Sequence, residues 1–219
     1  MKPYYQDDYV TIYNCRCEDI LGELKTDVII TDPPYGINGG TGGTSKLRAK
    51  GSYVSNFKDD RDYIKSIVIP SLFNLAKWKS LVLTPGCKNI DLYPKSDSFG
   101  VFFSKNSSGM QRFGMSDAHP ILYYGVHHLQ GRCPLPCSLE LNEAPIKNGH
   151  PCPKPYKAWK WLVNKSSTDG DIILDPFAGS CTTGRAAKDL NRKCICIELE
   201  EKYCEIGAKR MCQEVMNFS

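Results

Sequence analysis

The sequence predicts one doubly wound α/β domain with a mixed, mainly parallel sheet. Three short apolar runs each end in a turn that contains proline or glycine, and helix-like stretches separate or follow these runs. Short apolar runs ended by such turns are typical of parallel strands that are buried on both faces. A chain of 219 residues can bury one core of this kind, and a second full domain is not expected.

The strands and helices follow from these patterns in order. The apolar runs predict strands at residues 27–31, 80–84 and 171–174. Helices are expected over about residues 59–77, 155–164, 183–190 and 200–214. Because strands and helices alternate along the chain, a doubly wound sheet is the expected architecture. Ligands bind beyond the carboxyl ends of the strands in such sheets, so chemistry is expected in the turns after Ile30 and Leu174.

The remaining segments predict a hairpin and two long loops. Apolar runs at residues 101–103 and 120–124, joined by residues 104–119, predict an antiparallel hairpin at one edge of the sheet. Residues from about 36 to 57 are rich in Gly, Ser, Thr and Lys and predict a mobile loop. Residues from about 126 to 149 predict a second loop, so the single domain is expected to span residues 1–219 with two long insertions.

The composition is that of an ordinary globular protein. Hydrophobic residues make up 41% and charged residues 24%, and no apolar run approaches the ~20 residues of a membrane-spanning helix. The amino terminus lacks the pattern of a secretory signal, so a cytoplasmic protein is expected. The net charge of +4 permits a polyanionic partner without requiring one. The eleven cysteines fall in predicted strands and helices, as at Cys194 and Cys196, so reduced thiols are expected.

The most informative motif is Asp32-Pro33-Pro34-Tyr35, which follows the first predicted strand. The two prolines fix the backbone and donate no hydrogen bonds, which leaves the carboxylate of Asp32 and the carbonyl of Pro33 as outward-facing acceptors. Two acceptors can hold both hydrogens of a planar amino group and leave its lone pair free to attack a methyl sulfonium. Tyr35 can stack on the same ring, which suits a base flipped out of a duplex. The alternative is a surface turn that only ends the strand.

The second motif, Asp175 to Thr183, is a glycine-bearing turn between a strand and a helix. Gly179 allows close approach of the backbone to a ligand, and the following helix offers free N–H groups. Glu198 ends the next strand about 20 residues later, where an acidic side chain can bind ribose hydroxyls. This spacing also suits a Rossmann dehydrogenase, but the full G-x-G-x-x-G pattern is absent. A cofactor without a pyrophosphate needs fewer glycines and an acceptor for its ammonium group, for which Asp175 is suited.

Together the two motifs resemble those of the DNA amino-methyltransferases. Their order is that of the β-class enzymes, in which the catalytic tetrapeptide precedes the cofactor loop. The resemblance continues at residues 13–17, 150–155 and 196–200, and it covers nearly the whole chain. It implies a Rossmann-like methyltransferase fold with a seven-stranded sheet and S-adenosyl-L-methionine as the cofactor. It also implies methyl transfer to the exocyclic amine of a DNA base.

The resemblance also implies roles for individual residues. The implied catalytic residues are Asp32, Pro33, Pro34 and Tyr35. The implied cofactor-binding residues are Asp175, Phe177, Ala178, Gly179, Ser180, Thr182 and Glu198, and also Lys154, His150 and Cys17. Two positions depart from the family pattern. Cys181 stands where the family usually has glycine, and Arg16 stands near a position where it often has an acidic residue.

Basic side chains in the loops are the expected phosphate contacts. Lys46, Arg48 and Lys50 lie in the loop after the tetrapeptide, and the glycines of that loop would let it close over a flipped base. Arg112 in the hairpin loop and Arg132 in the second loop are secondary candidates.

The second loop, about 126–149, stands where this branch of the family commonly carries its target-recognition region, and it is short. Because so small a chain covers little DNA, a homodimer or a partner subunit is expected. A cognate restriction endonuclease is a further candidate partner.

The residues leave several substrates open. Aspartate at the start of the tetrapeptide favours adenine N6, because serine is commoner among the cytosine N4 enzymes of the family. An RNA base or a protein glutamine presents a similar planar amino group, and Cys181 and Arg16 also make a catalytically decayed nucleic-acid-binding module an alternative. No metal site is predicted, since the spacing of Cys133, Cys137 and the nearby histidines matches no strong zinc pattern.

Overall fold

The computed structural model describes residues 1–36, 60–104, 110–111, 114–115, 118–127, 129, 135–142 and 154–213. Within these residues, nine strands form one sheet and two short strands form a separate pair. In chain order the strands are β1 (Tyr5–Gln6), β2 (Val10–Asn14), β3 (Val28–Thr31), β4 (Ser80–Leu83), β5 (Ser98–Ser104), β6 (Met110–Gln111), β7 (Gly114–Met115), β8 (Ala118–Gly125), β9 (Ser138–Leu141), β10 (Ile172–Asp175) and β11 (Lys193–Glu198).

The large sheet is mixed and mainly parallel, which confirms the predicted fold class. Its strand order is β1-β2-β11-β10-β3-β4-β8-β5-β9. Neighbouring strands from β2 to β4 are all parallel. Strand β8 runs antiparallel to β4 on one side and to β5 on the other. The seven neighbouring strands that begin with β2 and end with β5 in this order make up the expected seven-stranded sheet. The short strands β1 and β9 extend it at its two edges.

The predicted antiparallel hairpin is formed by β5 and β8, in which Val101 lies opposite Pro120. It does not form the edge of the sheet, because β9 pairs in parallel with β5 and places Ser138 beside Val101. Strand β9 falls inside the segment 126–149, which was expected to be a loop throughout. Its four residues, Ser138–Leu141, alternate polar and apolar side chains. So short an alternating run does not stand out from a loop in the sequence.

Helices lie on both faces of the sheet. Helix α1 (Arg61–Tyr63) continues through two helical segments with i→i+5 hydrogen bonds, Ile64–Val68 and Ser71–Leu75. The other helices are α2 (Tyr156–Ser166), α3 (Thr182–Lys188) and α4 (Glu201–Met211). Single 3-10 turns occupy Cys17–Asp19, Leu21–Glu23 and Ile90–Leu92. In the part of the chain that the structure describes, no helix has the length and apolar composition to cross a membrane.

Alternate strand residues fill two hydrophobic cores, one on each face of the sheet. Val28 and Ile30 of β3 belong to a cluster that also contains Leu162 of α2. Ile29, between them, belongs to the opposite cluster with Ile64, which follows α1. Successive strand residues point to opposite faces, so a strand that is covered by helices on both sides must be apolar throughout. This explains why β3 reads as a continuous apolar run in the sequence.

The strand order brings the two sequence motifs to the same edge of the sheet. Strand β10 lies between β11 and β3, and all three are parallel. The carboxyl ends of these strands therefore meet, and they carry Asp175, Glu198 and the residue before Asp32. This is the edge at which ligands bind in open α/β sheets.

Candidate active site

The turn after β3 gathers three donors around the carboxylate of Asp32. Its Oδ1 atom accepts hydrogen bonds from the hydroxyls of Tyr35 and Thr84. The ammonium of Lys154 forms an ion pair with Oδ2 and donates a hydrogen bond to the Tyr35 hydroxyl at 3.1 Å. Burial and the charge of Asp32 raise the pKa of Tyr35, so its phenol stays protonated and remains a donor. The described surroundings of Asp32 thus supply donors to both carboxylate oxygens.

The turn after β4 supports Tyr35 from the neighbouring strand. The buried amide of Asn89 donates to the Tyr35 carbonyl at 2.8 Å and to the Pro85 carbonyl at 3.4 Å. Gly86 has a φ of +71°, and a Cβ there would lie 3.2 Å from the Tyr35 ring. Glycine is therefore required at position 86 by its backbone conformation and by the closeness of the ring.

The carboxylate of Asp175 is buried and held by side chains from two other elements. Oδ1 accepts from the Thr31 hydroxyl at 2.7 Å and from the backbone N–H of Phe177 at 3.2 Å. Oδ2 accepts from the Thr183 hydroxyl at 2.5 Å. Burial raises the pKa of Asp175 to about 6, although these hydrogen bonds act in the opposite direction. Asp175 thus joins β10 to β3 and α3.

Glu198, at the end of β11, faces the same turn. Its two oxygens accept hydrogen bonds from the backbone N–H groups of Gly179 and Glu200, each at 2.8 Å. Burial raises the pKa of Glu198 to about 7, and the charges of Asp175 and Glu200 add to this effect. Gly179 adopts a φ of +51°, which turns its N–H towards Glu198. The spacing between this glycine and the acidic residue predicted that they would meet.

The hydrogen bond from Thr31 to Asp175 connects the two motifs, because Thr31 directly precedes Asp32. The charge of Asp32 also contributes to the raised pKa of Asp175. An acceptor beside an aromatic ring therefore lies next to a turn that is flanked by the buried carboxyl group of Asp175 and the half-buried carboxyl group of Glu198. This arrangement can receive a planar amine on one side and a polar, nucleoside-like ligand on the other.

Comparison with known sequences identifies the family. A sequence model of the family described as DNA methylase, which covers N6 and N4 enzymes, matches residues 95–209. The match covers just over half of the 219 residues. The chain belongs to the N6/N4 DNA methylase family. The resemblance inferred from the two motifs is thereby confirmed.

Individual relatives agree with this family. The chain is 27% identical to the type II methyltransferase M2.DpnII of Streptococcus pneumoniae over 252 aligned residues, which cover 96% of this chain and 92% of that protein. It is 47% identical to the DNA adenine methyltransferase YhdJ of Escherichia coli (strain K12) over 62 residues, which cover 28% of this chain and 21% of that protein.

Solved structures share the fold. The M1.HpyAVI structure in complex with SAM superimposes with a TM-score of 0.68 at 22% identity, and the match covers 93% of this chain and all 100% of that one. The cytosine-N4-specific PvuII DNA methyltransferase superimposes with a TM-score of 0.68 at 16% identity, over 100% of this chain and 91% of that one. The Rossmann-like methyltransferase fold is thereby confirmed.

The loop between β10 and α3 keeps a glycine-like backbone at Cys181 although the side chain is larger. Cys181 has a φ of 54° and a ψ of 44°, in the left-handed region that costs an L-residue about 1–2 kcal/mol. Its buried thiol lies against α4, where a Cβ on Gly207 would come within 2.5 Å of Cys181 Sγ. The hydrogen bond with Cys196 and burial raise the pKa of the Cys181 thiol. The departure at Cys181 is thus accommodated by Gly207, and the loop geometry is kept.

Cys17, a predicted cofactor-binding residue, and Arg16, which departs from the family pattern, lie next to each other after β2. The Cys17 side chain is only 4% exposed and packs in the hydrophobic core, with its Sγ 3.4 Å from Glu18 Oε2. Only the backbone of Cys17 is therefore available to a ligand. Arg16 points to Glu18, with a distance of 3.1 Å between Nη1 and Oε1. The acidic side chain of Glu18 is thus present beside Arg16.

The other residues implied for catalysis or cofactor binding divide into three groups. Ala178, Ser180 and Thr182 are buried in the loop, and Phe177 is half-buried beside them. Lys154 pairs with Asp32, so the structure puts it at the turn after β3. Pro33 and Pro34 lie in the same turn as Asp32, the first buried and the second half-buried.

Several predicted residues lie outside the described part of the chain. These are the cofactor candidate His150 and the phosphate candidates Lys46, Arg48, Lys50, Arg112 and Arg132. Most of the loops 36–57 and 126–149 also lie outside it. Among the described residues, no group of three or more His, Cys, Asp or Glu side chains is arranged to hold a metal ion. The nine described cysteines are all free.

Sequence reasoning missed Thr84 and Asn89, which hold Asp32 and Tyr35. A signal was available, because Thr84 directly follows the second predicted strand, as Asp32 follows the first. The carboxyl ends of neighbouring parallel strands share an edge. What the sequence did not indicate is that these two strands are neighbours in the sheet.

Proposed function

We propose that this methylase transfers a methyl group from S-adenosyl-L-methionine to the exocyclic amine of a flipped DNA base, with adenine N6 as the target. The observation that carries the proposal is the hydrogen bond from Thr31 to Asp175, which joins the base-binding turn to the cofactor turn at one edge of the sheet. A methyl donor and an amine must approach within contact distance for direct transfer. Two adjacent turns, one suited to the amine and the other to the methyl donor, meet this requirement.

The cofactor turn fits a nucleoside with a charged amino-acid tail. Gly179 brings the backbone close to a ligand without a Cβ in the way, and the Glu198 carboxylate next to it retains lone pairs for ribose hydroxyls. Asp175 offers a buried carboxylate to an ammonium group. When bound, S-adenosyl-L-methionine supplies a methyl sulfonium, whose C–S bond breaks as the amine forms the new N–C bond.

The base turn prepares the amine. Asp32 and the carbonyl of Pro33 each accept one amino hydrogen, which orients the lone pair of the nitrogen towards the methyl group. Asp32 is also positioned to accept the proton that the nitrogen loses after transfer. Tyr35 stacks on the base, and Thr84 and Asn89 hold the acceptor and the ring in position. No cysteine is needed as a nucleophile in this scheme.

Adenine is favoured over cytosine by two observations. The tetrapeptide begins with aspartate, and the 62-residue match at 47% identity is to a protein named as a DNA adenine methyltransferase. The second candidate is cytosine N4, since the PvuII enzyme of that specificity has the same fold. Both bases present a planar amine to the same acceptors.

The proposal extends to DNA contacts and partners. Lys46, Arg48, Lys50, Arg112 and Arg132 are proposed to contact phosphates, and residues 126–149 to contribute to sequence recognition. A second copy of the chain is proposed as a partner on DNA, because one small domain covers little of a duplex. A cognate restriction endonuclease is proposed because relatives such as M2.DpnII are named as type II methyltransferases.

The test is a methylation assay with the purified protein and isotopically labelled S-adenosyl-L-methionine. Unmethylated genomic DNA, RNA and a protein extract are incubated separately, and the products are digested and analysed by mass spectrometry. The proposal expects label in N6-methyldeoxyadenosine from the DNA sample. Label in N4-methyldeoxycytidine would favour the second candidate. Label only in RNA or in glutamine would contradict the proposal, and so would no transfer to any sample.

A further inference from the structure

The ammonium of Lys154 lies where the proposed target amine must bind. It pairs with Asp32 Oδ2 and donates to the Tyr35 hydroxyl at 3.1 Å. It also lies 4.8 Å from the centroid of the Tyr35 ring. A cation at this distance from a ring is attracted to its face. One nitrogen therefore contacts both the acceptor and the aromatic surface that the proposed function assigns to the base.

The hydrogen-bonding capacity of Asp32 makes this contact competitive. A carboxylate oxygen accepts about two hydrogen bonds. Oδ1 already accepts from Tyr35 and Thr84, which come from buried or half-buried parts of the fold. Oδ2 is the oxygen with capacity for an amino group, and Lys154 is its described partner. An incoming amine would have to share Oδ2 with the Lys154 ammonium and take its place over the Tyr35 ring, so the two nitrogens compete for one position.

We propose that Lys154 is an internal competitor for the target-amine site and must leave Asp32 when the base enters. This inference rests on the proposed function and assigns Lys154 a role different from cofactor binding. It is a positioning residue, which holds the Asp32 side chain oriented until the base replaces it. The apparent affinity for the flipped base is lowered by the free energy of the ion pair.

The geometry allows this exchange. The side chains of Lys154 and Asp32 remain 20% and 15% exposed, so water can reach both groups when they separate. Lys154 precedes α2, which begins at Tyr156, so its side chain is carried by backbone outside the helix. A four-carbon stem can withdraw without any movement of the sheet. Asp32, by contrast, is held by Thr84 and by its own turn.

Replacement of Lys154 by methionine removes the competitor and keeps an unbranched side chain of similar length. We expect Lys154→Met to lower the KM for DNA by about fivefold, since that factor corresponds to about 1 kcal/mol, the upper range for a partly exposed ion pair. The dissociation constant for S-adenosyl-L-methionine should not change. Lys154→Arg retains the charge and should keep the KM for DNA at or above the wild-type value.

A second measurement follows the base without methyl transfer. Duplex DNA with 2-aminopurine at the target position is titrated with wild-type protein, Lys154→Met and Lys193→Met. The last variant is the matched control, because Lys193 is exposed at the opposite, amino end of β11. Fluorescence rises when the base leaves the stack. At equal occupancy of the DNA by protein, we expect a larger rise for Lys154→Met than for the wild type or Lys193→Met.

The outcomes separate this inference from the proposed function. If the KM for DNA and the fluorescence are the same in Lys154→Met and in the wild type, the competition is refuted. A higher KM for DNA would instead assign Lys154 to phosphate or base binding, and a weaker affinity for S-adenosyl-L-methionine would assign it to the cofactor. Both of these results overturn the inference while the proposed function stands. Failure of the wild-type protein to methylate DNA would overturn the proposed function itself.

Discussion

A Cβ placed on Gly207 of α4 would lie 2.5 Å from the Sγ atom of Cys181 in the loop between β10 and α3. Contacts this short do not occur between a Cβ and a thiol, so the two positions are coupled. Cys181 keeps the left-handed backbone that glycine would adopt without strain, and its side chain occupies the space that Gly207 leaves. The loop that faces the proposed cofactor therefore depends on a glycine 26 positions further along the chain.

The first prediction concerns this coupling. Gly207→Ala should destabilise the protein by about 1–3 kcal/mol, because the added methyl group overpacks a buried contact. Urea unfolding measures the change. Gly22→Ala is the control, since a Cβ at Gly22 meets no atom within 4 Å and a surface change of this kind stays within about 0.5 kcal/mol.

A double variant shows whether the thiol is the cause. Cys181→Gly combined with Gly207→Ala places the new methyl group in the space of the lost side chain and relieves the left-handed strain. At least half of the stability lost in Gly207→Ala should return. If the stability change of the double variant equals the sum of the changes in the two single variants, Cys181 and Gly207 are not coupled in this way.

The second prediction concerns Thr84. Thr84→Val removes the hydroxyl that donates to Asp32 and keeps the shape of the side chain. A lost hydrogen bond to a charged group is worth about 1.5–3 kcal/mol, so kcat should fall about tenfold or more while affinity for S-adenosyl-L-methionine is kept. Thr26→Val is the control, because the Thr26 hydroxyl donates to the Lys77 carbonyl at the other end of β3. Equal kcat values for the two variants would show that Thr84 does not position Asp32.

The third prediction concerns pH. Burial raises the pKa of Glu198 from 4.5 to about 7 in the folded protein, so the folded state binds its proton more tightly than the unfolded state does. The stability that protonated Glu198 contributes is therefore present below pH 4.5, its pKa in the unfolded state, and is lost as the pH rises towards 7. The loss amounts to roughly 3 kcal/mol. Unfolding free energies measured from pH 4.5 to 7 should decline less steeply in Glu198→Gln than in the wild type.

Asp175 contributes in the same direction, since burial raises its pKa to about 6. The decline of the unfolding free energy with pH should therefore be reduced but not abolished in Glu198→Gln. Adding Asp175→Asn to this variant should reduce the decline further. A slope that is identical in all three proteins would mean that neither carboxyl group is desolvated as the structure indicates.

The fold and the two central motifs could be predicted because their signals are local. Each strand that ends at the site is a short apolar run followed by a proline or glycine turn, and Gly179 and Glu198 are related by a spacing that the fold fixes. Strand β9 could not be predicted in the same way. It gains its place from pairing with β5, which is a tertiary contact.

The residues that support the tetrapeptide could not be predicted, because their positions depend on the order of the strands in the sheet. The sequence does not give that order. Thr84 and Asn89 serve the tetrapeptide because β4 lies beside β3. Cys17, a predicted cofactor-binding residue, begins a 3-10 turn and packs its thiol in the hydrophobic core, a tertiary contact that the sequence does not show. Lys154 lies more than 100 residues from Asp32 in sequence, and its pairing with that residue follows from the position of α2 above the sheet.

The central claim is that Asp32 acts on the base and not on the cofactor. The most direct measurement combines two readouts on Asp32→Ala: binding of S-adenosyl-L-methionine by calorimetry, and methylated nucleosides from treated DNA by mass spectrometry. The account predicts cofactor affinity within about twofold of the wild type, with methylated nucleosides reduced by at least a hundredfold, about 2.7 kcal/mol. Methylation that persists in Asp32→Ala would contradict it.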